Sequence, residues 1–198
     1  MAWKLLNSRY FFWMVLALPS IAFINGALSS NDLERLLHPT GEFAARFMII
    51  AMMLTPLKLI FPRSKVIQWL MRRRRYFGLA AFGYAVLHTL YYIVDLGSLT
   101  EIMREFVELG IWTGWVAFLI FIPLALTSND YSVRVMGPNW KTLQRFTYAA
   151  AILTVAHWIF LEYHIGPALV HFLPLAALEG YRIWRNYKNT RSGSVVTQ

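Results

Sequence analysis

The sequence predicts an all-α protein of the polytopic membrane class, a bundle of about six transmembrane helices. Composition gives the first reason. Of 198 residues, 58% are hydrophobic and only 15% are charged, where soluble domains run near 45–50% and 25%. The mean hydropathy is +0.46. The second reason is that six apolar stretches follow one another with polar punctuation, and roughly 20 residues per crossing fit the length. The third is the segregation of basic residues into alternate loops.

Taken in order, the first stretch, Tyr10–Ala27, follows Lys4 and Arg9 in the manner of a secretory signal. No small-residue cleavage pattern comes after it, so it reads as a retained span. The second, Phe43–Ile60, carries Arg46 and Lys58 near opposite ends, where long side chains snorkel to the interface. The third and fourth, Phe77–Val94 and Ile111–Thr127, contain almost no charge. The fifth and sixth, Phe146–Leu161 and Pro167–Tyr181, are the shortest and are separated by Gly166-Pro167. Residues 1–184 read as one membrane domain, and the polar segment 185–198 as a cytoplasmic tail that frays.

Charge orients the bundle. Sixteen of the 19 Lys and Arg residues gather on one side: Lys4, Arg9, Lys58, Arg63, Lys65, Arg72–Arg75, Arg134, Lys141, Arg145, Arg182, Arg185, Lys188 and Arg191. Arg35, Arg46 and Arg104 are left on the other, with most of the acids. The positive-inside rule therefore predicts that both termini are cytoplasmic. A net charge of +9 is accounted for in this way without nucleic acid. The run Arg72–Arg75 serves either as a stop-transfer and lipid-headgroup anchor or as a site for an anionic cofactor or partner. The absence of Cys excludes disulfides, iron–sulfur clusters, thiolate haem ligation and Cys-based zinc sites.

Five histidines are present: His38, His88, His157, His164 and His171. His88 lies 13 residues beyond Arg75 on the third stretch, and His157 lies 12 beyond Arg145 on the fifth. At 1.5 Å per residue both imidazoles stand roughly 18–20 Å above the basic interface, in the outer half of the bilayer. Two imidazoles at one depth on helices of like direction are what a bis-histidine haem requires. The alternative is that each hydrogen-bonds a neighbouring helix. His164 shares a face with His157 at a seven-residue spacing and is the alternative ligand on that helix. His38, placed in the loop before the second stretch, and His171 read as interfacial or supporting residues.

Several segments occur in order: His38-Pro39-Thr40-Gly41, Leu54-Thr55-Pro56-Leu57, Arg74-Arg75-Tyr76-Phe77-Gly78, Leu87-His88, Leu126-Thr127-Ser128 and Trp140 through Tyr148, followed by His157. Over roughly residues 35 to 160 the chain resembles the ferric-reductase-like transmembrane domain family. Within that family it is most similar to the branch of haem-binding membrane subunits that serve periplasmic protein-methionine-sulfoxide reductase systems. The resemblance implies a b-type haem protein of the bacterial inner membrane, held by His88 and His157. It would carry electrons from the quinone pool or a cytoplasmic flavin reductase to a periplasmic molybdenum-containing reductase subunit.

Members with two stacked haems carry two histidines, 13 or 14 residues apart, on each of the third and fifth helices. Here Gln144 stands 13 residues before His157 and Arg74 fourteen before His88. Neither is an ordinary haem ligand, so one haem per chain is expected. No glycine-rich dinucleotide motif follows a strand, and the donor is expected to be a quinol or a reduced flavin such as FMN. Arg74 and Arg75 are the candidates to hold it, with Arg72 and Arg73 left to lipid. Competing readings are direct reduction of ferric or cupric ion without a protein partner, and a haem-free metal-ion carrier or structural membrane subunit.

Overall fold

Each of the six apolar stretches falls on a helix, to within one residue at its ends, in the computed structural model, which describes residues 8–29, 32–162 and 165–195. In chain order the helices are α1 (Arg9–Ser29), α2 (Glu34–Ile60), α3 (Lys65–Met71), α4 (Arg74–Leu96), α5 (Leu99–Glu105), α6 (Leu109–Leu126), α7 (Asp130–Met136), α8 (Pro138–Gln144), α9 (Thr147–Glu162) and α10 (Ile165–Val195). There is no strand among the described residues. By length and composition α1, α2, α4 and α6 qualify as membrane spans. Helix α9 has only 16 residues, roughly 24 Å of rise, and α10 loses its apolar character beyond Glu179.

Local chemistry sets the helix ends. Gly97, at φ 63°, takes the left-handed conformation that closes α4. The hydroxyl of Ser98 then caps α5 by accepting from Glu101 N–H at 3.2 Å. Asn129 caps α7 through Ser132 N–H at 2.8 Å, and Gly137 at φ 52° turns the chain into Pro138, the first residue of α8.

Two sequence expectations need correction. Helix α2 begins at Glu34 rather than Phe43, so His38 is helical and not in a loop. Helix α10 runs on to Val195, where fraying from Arg185 was expected. Pairs one turn apart support that polar extension: Arg182 with Glu179 at 3.0 Å, Lys188 over Trp184 and Arg191 over Tyr187.

Packing divides the bundle into two close pairs, α2 with α4 and α6 with α9, while α10 lies along α2. Small residues allow this approach: Ala45, Ala81, Ala150 and Ala168 are each almost wholly buried. Contacts between the two pairs are sparser, and the space between them is where the site lies.

Candidate functional site

His88 reaches that space from α4 and His157 from α9. The Nδ1 of His88 lies 2.9 Å from the carbonyl of Leu37, and the Nδ1 of His157 lies 2.7 Å from that of Gly110. A carbonyl can only accept, so each ring must carry its proton on Nδ1. That leaves each Nε2 as a lone pair. Among the described residues neither Nε2 has a hydrogen-bond partner. The ring centres are 6.1 Å apart and the planes cross at 87°. Bonds of about 2 Å from two imidazoles to one metal between them leave ring centres about 6 Å apart.

Two glycines make room for the rings. A Cβ on Gly41 of α2 would come to 3.2 Å from the His88 ring, and one on Gly114 of α6 to 2.5 Å from Nδ1 of His157. The second of these is a clash that no real side chain tolerates. Each imidazole is thus seated in a notch cut by a glycine on the facing helix.

Both histidines line a cavity of about 440 Å³ between the two helix pairs. Its wall is mostly apolar, with Ala45, Met48, Ala85, Ala117, Phe118 and Phe121 among its residues. Glu34, His38, Glu42, Asp95 and Glu105 collect at the end remote from Arg72–Arg75. Ordinary cofactor pockets run roughly 300–1,000 Å³ with a few convergent polar groups. Among the described residues there is no group of three or more His, Asp or Glu side chains suited to a bare metal ion. Two opposed imidazoles above an apolar chamber suit a metal whose remaining ligands come from a flat macrocycle. The residues therefore fit a porphyrin better than a free ion.

The remaining candidates divide between the cavity wall and other parts of the bundle. His171 is placed off the cavity, its Nε2 accepting from Arg46 Nε at 3.2 Å while Arg46 also pairs with Glu42 at 2.5 Å. His38 lines the cavity 6.1 Å from the Trp158 ring. His164 lies outside the described residues. Arg74 and Arg75 stand at the opposite end of α4. Arg74 donates from Nε to the carbonyl of Ala51 at 2.8 Å, and Arg75 meets Asp130 at 2.6 Å. Arg73, assigned by sequence to lipid, is instead buried, its guanidinium 4.1 Å from the centre of the Trp69 ring and 5.7 Å from that of Phe12. Aromatic faces on α1 and α3 shelter it from the bilayer.

The two positions where a second pair of histidines would stand are engaged in packing. Gln144 donates to the Leu124 carbonyl at 3.1 Å and to Thr127 Oγ1 at 3.2 Å, tying α8 to the end of α6. Arg74 ties α4 to α2. Only about 60 Å³ of space remains beside Gln144.

Sequence comparison adds an independent line. The family described as "Ferric reductase like transmembrane component" matches residues 40–155. A protein-methionine-sulfoxide reductase heme-binding subunit, MsrQ, of Azospira oryzae is 31% identical over 185 residues, covering 86% of this chain and 76% of its own. The subunit of that name in Xanthomonas euvesicatoria pv. vesicatoria is 33% identical over 170 residues, covering 84% and 76%. That of Brucella ovis is 32% identical over 171 residues, covering 84% and 75%. No solved structure matches.

Proposed function

The chain belongs to the family of ferric reductase-like transmembrane components, and on that footing we propose that it is a haem-carrying electron-transfer subunit of the membrane. The observation that carries this reading is the pair His88 and His157, 6.1 Å apart on two helices with both Nε2 atoms uncommitted. When bound, a b-type haem supplies a one-electron iron couple. The protein's own part is to hold each imidazole in the tautomer that offers Nε2. The backbone carbonyls of Leu37 and Gly110 do this, and by accepting the Nδ1 proton they make the rings more basic ligands. The apolar lining keeps water from the metal.

One haem per chain is supported by Gln144 and Arg74, whose amide nitrogen and Nε respectively are engaged in helix contacts in the other half of the bundle. The relatives' names support a methionine-sulfoxide reductase as partner. In this reading that partner is a periplasmic molybdenum-containing subunit that receives electrons at the acidic end of the cavity. The charge asymmetry supports a multi-pass protein of the bacterial inner membrane with its basic end in the cytoplasm. A quinol, or a reduced flavin such as FMN, delivers electrons there and is met by Arg74 and Arg75, whose forked donors suit phosphate or a polar headgroup.

The test is the optical spectrum of the full chain purified in detergent. Wild-type protein should show a Soret band that sharpens and shifts on reduction. His88→Ala and His157→Ala should each lose it or become five-coordinate, whereas His171→Ala should keep the wild-type spectrum. Colourless wild-type protein from haem-replete cells would exclude the reading.

A further inference from the structure

Three titratable side chains meet where α2 and α10 pack beside the cavity. Glu42 lines the cavity and pairs with Arg46 one turn along α2. His171 of α10 completes the group, its Nε2 3.2 Å from Arg46 Nε and also 3.2 Å from Glu42 Oε1. The Nδ1 of His171 lies 2.8 Å from the carbonyl of Pro167. A carbonyl can only accept, so Nδ1 keeps its proton and the second proton belongs to Nε2. Without it, Nε2 accepts from Arg46 but sets its lone pair against a carboxylate oxygen. With it, Nε2 donates to Glu42 but faces a guanidinium donor. Each state makes one favourable contact and one poor one, so a further charge nearby decides between them.

The cavity is close enough to supply that charge. The His171 ring is centred 5.1 Å from the ring of Trp158, which lines the cavity and directly follows the ligand His157. The side chains of Glu42 and His171 are only 19% and 20% exposed, so water and salt screen them weakly. Of the helices packed on α10, α2 brings Glu42 and Arg46 to His171, and α9 brings Trp158, which carries no charge. Glu34, His38, Asp95 and Glu105 are titratable groups on the cavity wall itself.

We infer that His171 is a proton-binding site coupled to the redox state of the cavity: its Nε2 takes up a proton, hydrogen-bonded to Glu42, when an electron enters, and releases it when the electron leaves. This rests on the haem reading above and adds a proton to its electron. In the step one electron from the donor arrives on the iron, one N–H bond forms at Nε2, and the proton comes from water at the acidic end of the bundle. The sign follows from charge. An added electron favours a neighbouring cation, so proton binding tightens on reduction, and the midpoint potential falls as pH rises through the range where His171 titrates.

The test is a spectroelectrochemical titration of the full-length, haem-loaded protein in nanodiscs, with the midpoint potential followed from about pH 5 to 8. Wild type should show a sloping region whose ends differ about tenfold in proton concentration, the scale of a unit charge acting across one intervening side chain. His171→Gln keeps an acceptor for Arg46 and cannot titrate. It should retain the low-spin spectrum and lose that region. The partners should move the region in opposite directions: Glu42→Gln to lower pH, because the anion is gone, and Arg46→Gln to higher pH, because Glu42 is left uncompensated. These two variants serve if His171→Gln fails to insert. His38→Gln should leave the region in place. A pH-independent potential in wild type, an undiminished slope in His171→Gln, or displacement of both partner variants in one direction would overturn the coupling while leaving the axial pair standing. Wild-type protein that binds no haem would overturn the haem reading itself.

Discussion

The Nδ1 atoms of His88 and His157 are each tied to a backbone carbonyl on another helix, at 2.9 and 2.7 Å, while the two rings face one cavity with centres 6.1 Å apart. Tautomer, spacing and direction are therefore fixed by the fold before any cofactor is considered. In each case the carbonyl comes from a helix start, Leu37 in α2 and Gly110 in α6.

The glycine notches give a graded expectation. Gly114→Ala would bring a methyl to 2.5 Å from Nδ1 of His157, whereas Gly41→Ala would bring one to 3.2 Å from the His88 ring. Overpacking of this kind costs about 1–3 kcal/mol. Haem content measured as pyridine haemochrome should fall severalfold in Gly114→Ala and by less than half in Gly41→Ala. The reverse order would mean that the rings move on loading.

Stoichiometry is the next expectation. One iron per chain should be found when protein is quantified independently. Gln144→His should not add a second, because the space beside it is about 60 Å³ and Arg74 closes the opposite position. Two irons per wild-type chain would contradict the packing argument.

At the basic end, Arg74→Gln with Arg75→Gln should slow haem reduction by reduced flavin or quinol without lowering haem content. Asp130 carries the complementary expectation. Its carboxyl is held below the usual carboxylate range by its bond to Arg75, so the pair persists as pH falls until that lowered pKa is reached. Asp130→Asn frees Arg75 at every pH and should lower the donor concentration needed for half-maximal reduction. Stopped-flow traces unchanged in both variants would leave these arginines as topology anchors alone.

Much of this was legible in the sequence. The apolar stretches located the long helices, and equal depth above the basic loops picked His88 and His157 out of five histidines. The start of α2 was not legible, because Glu34, Arg35 and Glu42 interrupt its apolar run and Pro39 reads as a break. Gly41 stood inside a recognised segment, His38-Pro39-Thr40-Gly41, yet nothing marked it as the seat of a ring on another helix. Gly114 gave no signal at all. Trp158 is one of eight tryptophans in an aromatic-rich chain, and only the three-dimensional structure shows it buried, its N–H without a partner among the described residues. Arg73 looked like its three neighbours in the run. What separates it is burial against Trp69 and Phe12, a contact between helices that no local pattern encodes.

The most direct test of the axial pair is the low-temperature EPR spectrum of the oxidised full-length protein. Imidazole planes crossed near the 87° of His88 and His157 should give a highly anisotropic low-spin ferric signal. Its intensity should correspond to one haem per chain, and it should vanish in both His88→Ala and His157→Ala. A high-spin spectrum in the wild type, or a low-spin signal that survives the loss of either histidine, would contradict ligation by this pair.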